Sequence, residues 1–266
     1  MRKPSAIVDV ASIAFESFGV RVEVSMTPAE QIELVRPLLP PGHQSCDSAD
    51  VQKRFAIVAG ARAEYTLLRD GEQFAERLGL ELALVLLEAQ VRAYVALHAP
   101  DRIFVHAGVV AHAGKAIVIP GMSFSGKTML VAALVRAGAT YLSDEFAPLD
   151  EHGLVHPYPK PLSIRDERRV QHEHDVASIG GTAGDQPLRV GLVVATEYRP
   201  GAQWRPRRLS AGQGLLALLA HTVAAQTRPE QVMRFLTRAV GETAILESPR
   251  DEAAELAGAL LCELER

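Results

Sequence analysis

Alternating apolar and polar positions divide much of this chain into short strands, and longer apolar runs mark its helices. Val20, Val22 and Val24 alternate with Arg21, Glu23 and Ser25, the period-two pattern of a half-buried strand. Residues 6–15 read as its partner, with Gly19 at the turn between them. Thr27-Pro28-Ala29-Glu30 has the form of a capping box with proline at the first helical position, which predicts a helix to about residue 36. Residues 37–50 are rich in Pro, Gly, Ser and Asp and read as a loop. Residues 54–59 and 64–69 form a second strand pair followed by an Asp70-Gly71 turn, and residues 78–97 predict a long, mostly buried helix. Strands followed by one helix predict a small α+β domain over residues 1–98.

The pattern then changes. A strand over residues 102–111 leads through Ala113-Gly114 into a short apolar strand, residues 116–119, which ends at Pro120-Gly121. Gly121, Gly126, Lys127 and Thr128 satisfy G-x-x-x-x-G-K-[ST], and an apolar helical run, residues 129–135, follows at once. Strand, glycine loop and helix is the context of a phosphate-binding loop. The loop over Gly121, Ser123, Phe124, Ser125, Gly126, Lys127 and Thr128 would turn its amides inward, and the helix would add its free N-terminal amides and positive dipole end. Lys127 would neutralise the β- and γ-phosphates, and the Thr128 hydroxyl would take one position on Mg²⁺.

Tyr141 to Glu145 reads as a strand that delivers two carboxylates, Asp144 and Glu145, at its end. Acids placed there serve Mg²⁺ or accept a proton from an incoming hydroxyl. His106 stands in the strand before the loop, where a lone histidine is ordinarily a core residue. Lys160 and Arg165 lie in a proline-rich stretch and could contact the transferring phosphoryl group. Residues 166–187 read as a mobile surface loop, residues 188–195 as a strand and residues 199–208 as a basic loop around Trp204. Ser210, Thr227 and Ser248 each open a C-terminal helix, with a short strand over residues 243–247 before the last. His172-Glu173-His174 has a spacing that could hold a metal but lacks an evident third ligand.

Composition narrows the classes. The chain has 266 residues, 48% hydrophobic and 23% charged, the make-up of a globular protein. A net charge of −4 gives no reason to expect nucleic acid or an anionic membrane as partner. Glu81, Glu88, Gln90 and Arg92 interrupt the most apolar stretch, whereas a membrane span needs about 18 or more apolar residues. Cys46 and Cys262 make no disulfide or metal framework. The expectation is a cytoplasmic protein.

The order VHAGVV, GMSFSGKT, YLSDEFAPL and PYPKPLSIR, followed by SAGQGLLALLAHT, resembles the HPr kinase/phosphorylase catalytic domain and its HPr-kinase-like serine kinase relatives over about residues 102–266. Residues 1–98 resemble, diffusely, the leading domain of such proteins, lasso-peptide kinases among them. The resemblance implies an α/β fold, a P-loop kinase domain of the HPr kinase type over residues 99–266 beside the smaller α+β domain. It also implies ATP and Mg²⁺ as cofactors and a serine of a peptide or small protein as acceptor, and it is compatible with a homo-oligomer. By the same resemblance Asp144 would be the base, Glu145 would assist the metal with Thr128, and His106 would tune Asp144. The sequence departs from the family pattern at Phe124, where glycine is usual, and at Glu145, where aspartate is usual. A kinase for a small-molecule hydroxyl, a nucleotide-responsive binding module and a plain nucleoside triphosphatase are the other readings, the last ranked lowest.

Overall fold

The computed structural model describes residues 9–122, 125–165 and 171–266, without the side chains of Arg165 and Gln171. The fold is mixed α/β, with two main sheets and a two-stranded ribbon. The chain divides into two compact units, Met1–Pro100 and Asp101–Arg266.

In the first unit, β1 (Ala11–Ser17), β2 (Val20–Thr27), β3 (Gln44–Ser45), β4 (Lys53–Ala59), β5 (Tyr65–Arg69) and β6 (Glu72–Leu78) form one sheet in the order β3-β1-β2-β4-β5-β6. Only the β2–β4 pairing is parallel. α1 (Leu80–His98) packs across β2, β4 and β5. Its buried residues Ala83, Leu87, Val91 and Val95 are spaced by four, a single stripe. Each large side chain there contributes about 1.5–3 kcal/mol through burial. Leu82 and Val85, on other faces, are half exposed, so the helix is buried along one stripe rather than mostly buried.

Two further expectations fail in this unit. Thr27 is not a helix cap: it ends β2 paired with Val58, and the segment after it is a short 3-10 turn, Ala29–Leu34, with no side-chain cap. β6 was not expected, because Glu72, Gln73, Glu76 and Arg77 leave no apolar alternation; it pairs at the edge of the sheet through its backbone.

In the second unit, β7 (Ile103–His112), β8 (Lys115–Pro120), α2 (Lys127–Arg136), β9 (Thr140–Ser143), β10 (Phe146–Leu149), β11 (Leu154–Val155), β12 (Leu162–Arg165) and β13 (Gln171–His174) come first. β14 (Leu188–Ala195), β15 (Arg207–Arg208), α3 (Ala211–Leu219), α4 (Pro229–Val240), β16 (Ala244–Glu247) and α5 (Ala253–Glu265) complete it. The sheet runs β11-β10-β7-β8-β14-β16-β15, with β9 also paired to β7. β8, β14 and β16 are mutually parallel neighbours, so their carboxyl ends open on one side. α2 and α5 cover this region, burying Leu130, Val131, Leu134, Leu256 and Leu260 against Ile117, Ile119, Leu192 and Val194.

The ribbon β12–β13 lies partly in the stretch read as a mobile loop, and a 3-10 turn, Val176–Ile179, follows it. Gln171–His174 pairs through its backbone, so the polar side chains that hid it from sequence reading are not needed inside. The last helix begins at Ala253, later than the Ser248 cap implies, because Ser248 instead bonds Arg205 N and Pro249 O. The Ser210 capping box is formed as read. Among the described residues, no helix is long and apolar enough to cross a membrane.

Candidate phosphate-loop site

The site is organised around one level of β7. Below that level β7 pairs with β10, from Ile103↔Leu149 to His106↔Phe146. Above it, on the same edge, β7 pairs with β9 from Val109↔Ser143 to Ala111↔Thr140. Asp144 and Glu145 occupy the break between these two partners, and Glu145 O accepts from Ala107 N at 3.2 Å. The strand ends at Ser143, which frees both acids from the alternation that would have sent them to opposite faces.

The other edge of β7 has a matching break. β8 pairs with it down to Ala107↔Pro120, and Gly121 N donates to His106 O at 3.1 Å as the loop departs. His221 O then accepts from His106 N at 2.8 Å, and Thr222 bridges Val105. Loop, acids and His221 therefore meet at residues 106–108 of one strand.

The described loop residues show what the two glycines allow. A Cβ on Gly121 would stand 2.6 Å from Ser125 Oγ. Gly126 caps α2 in the left-handed region at φ +86°, where a side chain is strained. Ser123 and Phe124 lie outside the described residues. Among the described residues Ser125 Oγ is buried without a hydrogen-bond partner. Lys127 Nζ donates to Met122 O at 3.1 Å, folded back on its own loop. Burial lowers the Lys127 pKa, with Asp144 and Glu145 acting the other way.

Asp144 faces this loop. Thr128, Lys127 and the Ser163 backbone each favour its ionised form. Burial raises its pKa to about 6 against the pull of Thr128 and Lys127, and the neighbouring Glu145 charge raises it further. Its Oδ1 is shut off from solvent and has no hydrogen-bond partner among the described residues. Glu145 turns toward Lys160, whose Nζ lies 3.9 Å from Oε2, and Tyr141 holds the Lys160 carbonyl at 2.7 Å.

Of the residues expected from sequence, Gly121, Ser125, Gly126, Lys127, Thr128, Asp144 and Glu145 come together, and Lys160 joins them through Glu145. His106 contributes its backbone to the loop, while its ring lies 4.5 Å from Phe146 in a tilted stack. The backbone of Arg165 pairs with Gln171, and its side chain lies outside the description. His172 and Glu173 are exposed on β13, and among the described residues no group of three His, Cys, Asp or Glu could hold a metal. Trp204 of the basic loop is partly buried and packs against the core.

Three site residues were not singled out from the sequence, although His221 lies in the SAGQGLLALLAHT segment. Among the described residues His221 has a buried Nδ1 with no partner, and its pKa is lowered by burial and then by Lys127. Arg250 is 2% exposed and donates from Nη2 to Gly126 O at 2.7 Å. Tyr198 N donates to Ser125 O at 3.3 Å.

The arrangement suits a polyphosphate and its cation. Two glycines allow backbone to close on an anion, and the unpaired Ser125 Oγ, Thr128 and Lys127 offer donors. Mg²⁺ commonly takes one or two carboxylates and completes its shell with phosphates and water, so the small acid set fits.

No protein-family model matches the chain, and a search of curated proteins finds no match. Among solved structures, the Hpr(Ser) kinase/phosphatase from Coxiella burnetii is similar at 13% identity and a TM-score of 0.35, covering 61% of this chain and 95% of that one. A likeness of that size carries no argument about this site.

Proposed function

We propose that this chain is an ATP- and Mg²⁺-dependent phosphotransferase acting on a hydroxyl, with a serine of a peptide or small protein as acceptor. One observation carries the reading: Asp144 and Glu145 occupy the break on one edge of β7 at the level where the phosphate loop departs from the other edge. The order of sequence motifs supports the acceptor class. Main-chain amides of the loop and Lys127 hold and neutralise the triphosphate. Mg²⁺, when bound with ATP, would offset charge on the phosphate oxygens. Asp144, with a pKa raised to about 6, is ionised at neutral pH yet basic enough to take the acceptor proton. Lys160 would stabilise negative charge spreading over the transferred group, with Glu145 and Thr128 on the metal side.

A second assignment within the same reaction is favoured by the electrostatics of Asp144. An acid on which both Thr128 and Lys127 act stands where phosphate-loop enzymes keep their metal-side acid, so Asp144 would take the role first given to Glu145. The two assignments separate by Mg²⁺ titration. As the base, Asp144→Asn loses turnover at an unchanged Mg²⁺ requirement; as the metal-side acid, it raises that requirement.

The test of the whole reading is incubation with Mg²⁺-ATP and serine peptides, small proteins or small hydroxyl compounds, read by mass spectrometry. A product carrying one added phosphoryl group, absent with Lys127→Ala, is expected. ATP bound but never consumed with any acceptor would leave a nucleotide-responsive binding module instead.

A further inference from the structure

Behind the phosphate loop lies a buttress made by two segments that leave the carboxyl ends of β14 and β16. Arg250 N donates to Glu197 O at 3.0 Å, Arg199 N donates to Arg250 O at 2.8 Å, and Tyr198 bridges Arg250 in parallel. The two segments are therefore locked to each other through backbone. They grip the loop at two successive carbonyls: Tyr198 N reaches Ser125 O, and Arg250 Nη2 reaches Gly126 O. The contact is close. A Cβ on Gly126 would lie 2.7 Å from Arg250 Nη2 and 3.1 Å from Tyr198 Cβ.

Arg250 is unusual in what it lacks. Only 2% of the residue is exposed, its Nη1 is used on Asp251 O, and its Nε is buried with no partner among the described residues. Among the described residues no carboxylate forms an ion pair with it, although the Tyr198 ring lies 5.7 Å from its guanidinium. Arginine does not shed its proton in a protein, so this is a buried positive charge that Glu252 and Asp251 attract but that no carboxylate among the described residues bonds, set against the peptide leading into Lys127. Burying such a charge without a bonded anion is costly.

We propose that Arg250 is a positioning residue for polyphosphate binding: it fixes the Gly126 carbonyl so that the loop amides face inward, and its charge is balanced by the bound phosphates. The Gly126 carbonyl already accepts the first helical bond of α2, from Leu130 N at 3.2 Å. Arg250 adds a second, charged donor to that oxygen and so holds the peptide plane whose amide side begins the anion cradle. The inference rests on the phosphate-loop reading of Gly121–Thr128 and is independent of the acceptor.

A cavity of about 450 Å³ opens beside this buttress, lined by Thr196, Glu197, Arg199, Arg205, Glu247 and Ser248 among others. It gives the inference a competitor: Arg250 could matter only because it shapes that cavity. The test therefore compares ATP with inorganic tripolyphosphate, which has the charge and no nucleoside. Affinities for both are measured by calorimetry on the full chain, for wild type, Arg250→Met and Arg250→Lys, alongside melting without ligand.

Arg250→Met is expected to weaken ATP and tripolyphosphate by the same factor, about tenfold or more, the loss of a charged hydrogen bond. Arg250→Lys, which keeps the charge, is expected to recover part of both. Unchanged tripolyphosphate affinity in a folded Arg250→Met protein overturns the inference, whatever happens to ATP. If Arg250→Met does not fold, equal affinities in Arg250→Lys and wild type overturn it. Wild type that binds neither ligand would instead remove the phosphate-loop reading, and the inference with it.

Discussion

Gly108 of β7 and Val131 of α2 are so close that a Cβ on the glycine would lie 2.4 Å from Val131 Cγ2. The same Cβ would stand 4.0 Å from Asp144 Oδ1. The missing side chain thus lets α2 settle onto the strand that also aligns the acids. A branched valine has no flexible end to move aside. Gly108→Ala must therefore push α2, and with it Gly126 to Thr128, off the sheet. The expected result is destabilisation by about 1–3 kcal/mol, as for overpacked cores, with weaker ATP binding. Wild-type stability and affinity in the variant would show that the helix can shift without cost.

Asp144 makes the stability of the chain pH-sensitive. Its pKa is about 6 in the folded chain against 3.8 when unperturbed, with burial the first cause. A raised folded pKa means the stabilising contribution is complete below about pH 4 and lost as pH rises through about 6. Asp144→Asn never ionises. Without nucleotide it should be more stable than wild type at pH 8, by on the order of 2 kcal/mol, with the gap closing toward pH 4. Chemical denaturation at both pH values measures it, and parallel curves would mean Asp144 is better solvated than its surroundings imply.

What the sequence made legible was local. Strand β8, the glycine loop and α2 are contiguous, and each step has its own signal: an apolar run, fixed glycines, then helical periodicity. Asp144 and Glu145 could be read for the same reason, since a short apolar strand points at them. β6 and Gln171–His174 were missed because edge pairing asks little of side chains. Thr27-Pro28-Ala29-Glu30 misled because a capping box is only a possibility until the strand before it has claimed its residues. Arg250 reaches Gly126 from 124 positions away, and His221 is set by its pairing with β7, so no window of sequence contains either contact.

Lys127 is held in reserve. Its Nζ rests on Met122 O at 3.1 Å, and burial lowers its pKa, so the cation is poorly solvated where it lies. Lys127→Ala should leave unliganded stability unchanged or slightly higher. It should also lower phosphoryl transfer by at least about a hundredfold, the scale for removing one preorganised donor to developing charge. Melting and single-turnover assays test both halves, and substantial transfer by the variant would exclude Lys127 from the chemistry.

Lys160 and Glu145 form the remaining test, because their 3.9 Å approach couples the acid break in the sheet to the segment entering β12. Both side chains are largely shielded, at 15% and 27% exposure, so the pair is screened less than a surface bridge. With Tyr141 fixing the Lys160 carbonyl, the ammonium is tethered from both ends and can meet an anion without a large search. If Lys160 acts on the transferred group, Lys160→Met should lower turnover about 10- to 100-fold while ATP affinity stays within about twofold. Glu145→Gln should cost less in the Lys160→Met background than in wild type, a coupling of about 1 kcal/mol. Additive losses would mean that the two groups serve the reaction separately. An equal loss of ATP affinity would return Lys160 to a binding role, acting on substrate and transition state alike.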